Sequence, residues 1–149
     1  MLNFDTLDHA HFMGAALELA EAAGEAGDLP IGAVVVLDGA VVGRGRNRIH
    51  SAGDKLRHAE TEALADARMI RAQRHEDCVL YTTTEPCVMC LGSIVMSDIR
   101  HVVFGRADPS RGGSDMARNV PYVSAQLKRY VGGCLAGECE AVWSRYHSP

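Results

Sequence analysis

Two short stretches carry residue types that can do chemistry together: His58-Ala59-Glu60 and, further along, Pro86-Cys87-Val88-Met89-Cys90. One imidazole and two thiolates make a soft-to-borderline ligand set that suits zinc. Three protein ligands leave the fourth tetrahedral position to water, which separates a catalytic zinc centre from a closed structural one. Glu60 is not needed as a ligand and is free to act as acid and base beside that water. Each piece alone is weak. A Cys-x-x-Cys pair also serves as a redox couple or as half of a structural zinc site, and His-x-Glu arises by chance. The weight lies in their order, in the Pro before the first Cys, and in both pieces falling at helix starts.

The elements that must position these residues are readable from periodicity. His58 to Gln73 is a predicted helix with Ala59, Ala63, Ala67 and Ile70 on its buried face, so His58 and Glu60 fall in its first turn. Pro86 suits a helix start, and Cys87 to Ser97 forms the next helix, with the two thiols on one face of its N-terminus. The partial positive charge there stabilises each thiolate by about 0.3–1 kcal/mol. Cys78 to Thr83 is a β-branched strand that runs into Glu85-Pro86.

Upstream, Phe12, Ala16, Leu19, Ala20 and Ala23 recur at helical spacing over His9 to Ala26. Ile31 to Leu37 is an apolar strand, Asp38-Gly39 a two-residue hairpin turn, and Ala40 to Gly45 the returning strand. Alternation puts Arg44, Arg46 and Arg48 on one face of that strand and Gly43, Gly45 and Asn47 on the other, where the glycines admit a close neighbour. Asn47 offers donors and an acceptor that can read a heterocycle edge; the plainer role is to cap the strand. Ile49 to Arg57 is a predicted loop, and His101 to Gly105 a strand. Arg106 to Val120 is a long loop suited to a lid or a substrate contact. A strand within Leu127 to Val131, a turn at Gly132-Gly133 and a helix from Leu135 to Tyr146 complete the chain.

The 149 residues are expected to form one domain, with 47% hydrophobic and 23% charged residues. No apolar run approaches membrane-spanning length, and Met1 to Ala10 lacks the pattern of a signal peptide, so the expected compartment is the cytoplasm. Five cysteines there argue against a disulfide framework and leave Cys78, Cys134 and Cys139 as small hydrophobes. The net charge of −4 is uneven: residues 1–43 hold seven acids and no Lys or Arg, and the remainder 15 basic and 12 acidic residues. This balance excludes a general nucleic-acid-coating protein but leaves room for a local basic patch.

With these motifs in place, the chain resembles the cytidine deaminase superfamily. Within it, it is similar to the branch of tRNA adenosine deaminases, bacterial guanine deaminases and fungal-type cytosine deaminases. The stretches that carry the resemblance run from Leu29-Pro30-Ile31-Gly32-Ala33 to Glu138-Cys139. They include Gly43-Arg44-Gly45-Arg46-Asn47, His58-Ala59-Glu60, Leu80-Tyr81-Thr82-Thr83, Glu85-Pro86-Cys87-Val88-Met89-Cys90 and Val102-Val103-Phe104-Gly105. The resemblance implies an α/β fold, a three-layer α/β/α sandwich around a five-stranded mixed sheet, usually a homodimer packed through helices near the metal. It also implies His58, Cys87 and Cys90 as Zn2+ ligands, Glu60 as the proton shuttle and Asn47 in substrate binding. In the implied chemistry, zinc brings water towards neutral pKa, Glu60 takes its proton, and hydroxide attacks the ring carbon bearing the exocyclic amine. Glu60 then returns protons to a ring nitrogen and to the departing ammonia. The Ala59 N–H, at a helix start, can hold a substrate carbonyl or ring nitrogen.

The substrate is open to three readings. A free nucleobase or related amino-heterocycle, of cytosine or guanine type, is the leading expectation. It rests on the acidic charge, on the Leu80–Thr83 and Gly43–Gly45 stretches, and on Trp143 and Tyr146 as aromatics able to close over a flat base or else to fill the core. Glu85 stands where the fungal-type enzyme has a small hydroxyl residue, which points away from cytosine in the strict sense. The alternative is a tRNA-specific adenosine deaminase. Glu85 beside Pro86, the Phe104-Gly105 strand end, Asp108-Pro109, and Arg44, Arg46, Arg48, Lys55 and Arg57 as phosphate contacts favour it, unless those arginines are a solvated face. Against it stand the acidity and the lack of a basic tail at Ser148-Pro149. The third reading, a non-catalytic zinc-stabilised binding module, leaves the Glu60 carboxylate idle.

Overall fold

The computed structural model describes residues 1–68 and 74–147. Helix α1 (His9–Glu25) leads into strands β1 (Gly32–Leu37) and β2 (Ala40–Arg46). Asp38 and Gly39 between them both take positive φ, 52° and 74°, the backbone of a two-residue hairpin turn whose twist matches the strands. After a one-turn helix α2 (Ile49–Ala52) come α3 (Ala59–Asp66), β3 (Val79–Thr84), α4 (Val88–Met96) and β4 (His101–Arg106). Two short helices, α5 (Ser114–Asn119) and α6 (Pro121–Gln126), then precede β5 (Arg129–Val131) and α7 (Ala136–Tyr146).

The strands form one mixed sheet in the order β2-β1-β3-β4-β5. β1 is antiparallel to both β2 and β3, and β3, β4 and β5 run parallel. Both faces are covered. Ala33, Val35, Leu80 and Val102 pack with α3 and α4 residues such as Ala63 and Ile94; Val34, Val36, Tyr81 and Val103 pack with Phe12, Met13 and Ala16 of α1 and Cys139 of α7. Period-two alternation along β1 and β3 thus builds the three layers of an α/β/α sandwich, with the five-stranded mixed sheet in the middle.

Several expectations are corrected. The helix beginning at His58 ends at Asp66 among the described residues; Ile70 and the rest of 69–73 lie outside them, as does Ser148-Pro149. The stretch read as a loop from Ile49 holds α2, and the long loop after β4 gives way to α5 and then α6. These helices have four to six residues, too few to show a helical period, and only Pro121 at the start of α6 marks a boundary.

Candidate metal centre and active site

At one edge of the sheet β2, β3 and β4 end while β1 begins, since Gly32 pairs with Arg46 and Ala33 with Thr82. Carboxyl ends of strands are where open α/β sheets present their ligand sites. β3 passes through Glu85-Pro86 into α4, whose N-cap is Cys87, and His58 is the N-cap of α3. Two helix starts therefore bring three donor atoms together, those of His58, Cys87 and Cys90, all within 4.8 Å of one another. His58 Nδ1 lies 3.6 Å from Cys87 Sγ and 3.3 Å from Cys90 Sγ. Tetrahedral zinc with ordinary Zn–N and Zn–S bonds separates such atoms by roughly 3.6 Å, so the donor set fits zinc in both type and spacing.

The electrostatics point the same way. The Cys87 thiol is held down to about 4, first by its hydrogen bond with Cys90 and then by His58. Cys90 is pushed up by the same bond, by burial and by nearby Glu60. His58 is raised, first by its hydrogen bond to Cys87. Binding of a divalent cation requires both thiols to be deprotonated. The His58 N–H donates to Thr61 Oγ1 at 3.1 Å, and that hydroxyl donates to Leu56 O at 2.9 Å, which fixes the backbone that carries the imidazole. Glu60, 4% exposed, has its carboxyl pushed up to about 7 by burial.

A pocket opens beside these groups, with Glu60, His58 and Cys87 on one part of its wall and Asn47, Asp108 and Trp143 on another. Asn47 is 1% exposed, and its Oδ1 accepts the Ile49 N–H at 3.1 Å, which turns the chain into α2 and leaves the amide NH2 as the donor end. Ala59 opens α3, where helix geometry gives its N–H no partner within the helix. Glu85 lines the pocket too, but its carboxylate is engaged by Asp108, Ser114 and Tyr130. Asp108 Oδ1 accepts from Ser110 and Arg111 and so shapes the turn after β4. Trp143 is half-buried, with the Arg106 guanidinium 4.3 Å from its ring centroid.

Tyr146 does not join Trp143. Its hydroxyl lies 2.9 and 2.7 Å from the carboxylates of Glu21 and Glu25 of α1, so that end of α7 is pinned to a neighbouring helix. Of the five basic residues read as phosphate contacts, three have partners within the chain. Arg46 donates to Ala22 O at 3.1 Å, and Arg48 and Arg57 turn to Glu62 at 3.9 and 3.1 Å. The chain leaves β2 at Arg46 and enters α2 beyond Arg48, which breaks the alternation that grouped the three arginines. Leu29, Ile31, Ile49 and Arg111 also line the pocket. Of these only Arg111 had a sequence signal as a contact, through the length and composition of its loop.

Residues 7–106 match the family model of the cytidine and deoxycytidylate deaminase zinc-binding region. The chain belongs to this family. It is a zinc-dependent hydrolytic deaminase acting on C–N bonds, with the fold that its superfamily resemblance implied. It is 33% identical over 143 residues to the tRNA-specific adenosine deaminase of Streptococcus pyogenes, covering 93% of this chain and 89% of that protein. It is 46% identical over 102 residues to the tRNA(Ile)-lysidine synthase of Deinococcus radiodurans, but spans 18% of that longer protein. Among solved structures, a tRNA:A34 deaminase superposes with a TM-score of 0.75 at 34% identity, covering 89% of this chain and 98% of that one. A guanine deaminase from Bacillus subtilis superposes with a TM-score of 0.63 at 31% identity, covering 76% and 77%.

Proposed function

We propose that the deaminase converts adenosine to inosine in tRNA. The observation that carries this reading is similarity to tRNA-specific adenosine deaminases along nearly the whole chain. The free-base expectation therefore becomes the second reading. It leaned on the acidic charge, on the Leu80–Thr83 and Gly43–Gly45 stretches, and on Trp143 and Tyr146 as aromatics closing over a base, of which Tyr146 is committed to α1 instead. Trp143 alone is left to stack on a base, which suits a base held in place by the rest of a larger molecule, and the cytoplasm is where such a substrate is found.

In this reading His58, Cys87 and Cys90 hold the zinc, which when bound supplies the Lewis acidity that brings water towards neutral pKa. The Glu60 carboxylate takes one proton from the attacking water and passes it to the ring nitrogen beside the reacting carbon, then takes the remaining proton from the new hydroxyl and delivers it to the departing amine. The balance is adenosine plus water giving inosine plus ammonia. Asn47 donates its NH2 to the base, and the Ala59 N–H adds a second donor at the helix start. Asp108 and Trp143 line the pocket where a flanking group or a stacked ring would lie. A non-catalytic module would keep Glu60 buried against the donor set at a desolvation cost with no return.

We also propose a homodimer. Val88, Gly92 and Met96 form one stripe of α4 beside the metal, and Val88 and Met96 are 58% and 71% exposed, an apolar stripe suited to a second copy.

Ammonia release from a panel of cytosine, guanine, adenine, their nucleosides and an anticodon stem-loop tests the substrate. Turnover of the stem-loop, with affinity falling as salt rises, is the expected result. Turnover of guanine alone would give the site to the second reading, which the Bacillus subtilis guanine deaminase favours.

A further inference from the structure

Glu85 is the residue between β3 and the Pro86-Cys87 turn, and it is 6% exposed. Its Oε1 accepts the Asp108 N–H at 3.0 Å; its Oε2 accepts the Ser114 N–H at 3.1 Å, the Tyr130 hydroxyl at 3.2 Å and the Ser114 hydroxyl. All four donors are uncharged. A buried carboxylate met by neutral donors holds its neighbours in one arrangement, because each lost bond leaves a charged acceptor poorly satisfied. The segment it gathers is fastened to the metal turn by backbone as well: Gly113 N donates to Pro86 O at 2.9 Å, and Gly112 forms a bridge with Cys87. A side chain at position 112 would run into the Glu85 carboxyl group and the Asp108 carbonyl, so Gly112 and Glu85 are matched. Asp108 in turn accepts the Arg111 N–H at 3.2 Å, and both residues line the pocket that holds Glu60.

We propose that Glu85 is a positioning residue: it locks the 108–114 segment to the metal turn and so sets where Asp108 and Arg111 meet the substrate. This rests on the pocket being the deamination site. Glu85 acts through the segment it holds, its carboxylate already meeting four donors. The expected signature is a change in substrate binding with the chemical step preserved.

The test uses the full zinc-loaded chain, with kcat and KM on the stem-loop, zinc content, and amide exchange across residues 107–116. Glu85→Ala is expected to raise KM roughly tenfold or more, keep kcat within a few-fold, and speed exchange in that segment. Glu85→Gln, which keeps one acceptor, should fall between Ala and wild type. Tyr130→Phe lies away from the metal turn in sequence and is expected to raise KM roughly two- to fivefold, less than additively with Glu85→Ala. If Glu85→Ala loses zinc, the Tyr130 variant alone decides. Wild-type KM and exchange in Tyr130→Phe and Glu85→Ala would overturn the proposal. So would a large loss of kcat in Glu85→Ala and Glu85→Gln alike with exchange unchanged, since Glu85 would then touch the reacting base. Failure of the deaminase reading is distinct: the wild-type chain would turn over no stem-loop while the exchange data still report on the segment.

Discussion

Asn47 has two ends with different partners. Its Oδ1 takes the Ile49 N–H and turns the chain after β2, which is the capping role; its NH2 is left for the pocket, which is the binding role. The two roles separate under Asn47→Asp, which keeps the acceptor and loses the donors. Stability within about 1 kcal/mol of wild type, with KM raised roughly ten- to a hundredfold, is the expected outcome in thermal melts and steady-state kinetics. Unchanged kinetics would leave Asn47 as a cap alone. At this scale the metal donors were legible because His58, Cys87 and Cys90 are determined by ligand chemistry and local spacing. Glu85 was legible as a candidate substrate contact beside Pro86, but its positioning role was not, because that depends on Ser114 and Tyr130, which only the folded chain brings to it.

β2 and α3 are held together by the absence of side chains at Gly43 and Gly45. A Cβ at Gly45 would run into the Ala59 carbonyl and the Ala63 amide, and one at Gly43 into the Ala63 carbonyl. Gly45→Ala must push α3 off the sheet, and α3 begins at the imidazole of the metal centre. The expected result is a loss of about 1–3 kcal/mol, with weaker zinc retention against a chelator. Undiminished zinc affinity would show that His58 is positioned independently of that contact. The close approach was readable from glycines alternating along a strand, though not which helix filled the space. Strands and long helices were readable because their periods repeat, and the alternation failed where β2 gave way to a turn at Arg48.

For the whole molecule, charge and association matter more than any one contact. The first third is acidic, and Arg48 and Arg57 share Glu62, so on the proposed tRNA reading few arginines on that side are left to meet phosphates. The salt slope should accordingly be shallow, reporting few phosphate contacts. Met96→Asp is expected to turn a dimer into a monomer in light scattering, since it charges the exposed α4 stripe; an unchanged mass would remove that surface from the interface. Three donors hold a zinc ion beside an acid that moves protons, and zinc content and turnover measured on the same preparations of wild-type and Glu60→Gln chain decide whether they do. About one zinc per chain in both, with turnover lost by roughly 10²–10⁴-fold only in the variant, is the expected result. Full turnover by a zinc-loaded Glu60→Gln chain, or an active wild-type chain free of zinc, would contradict it.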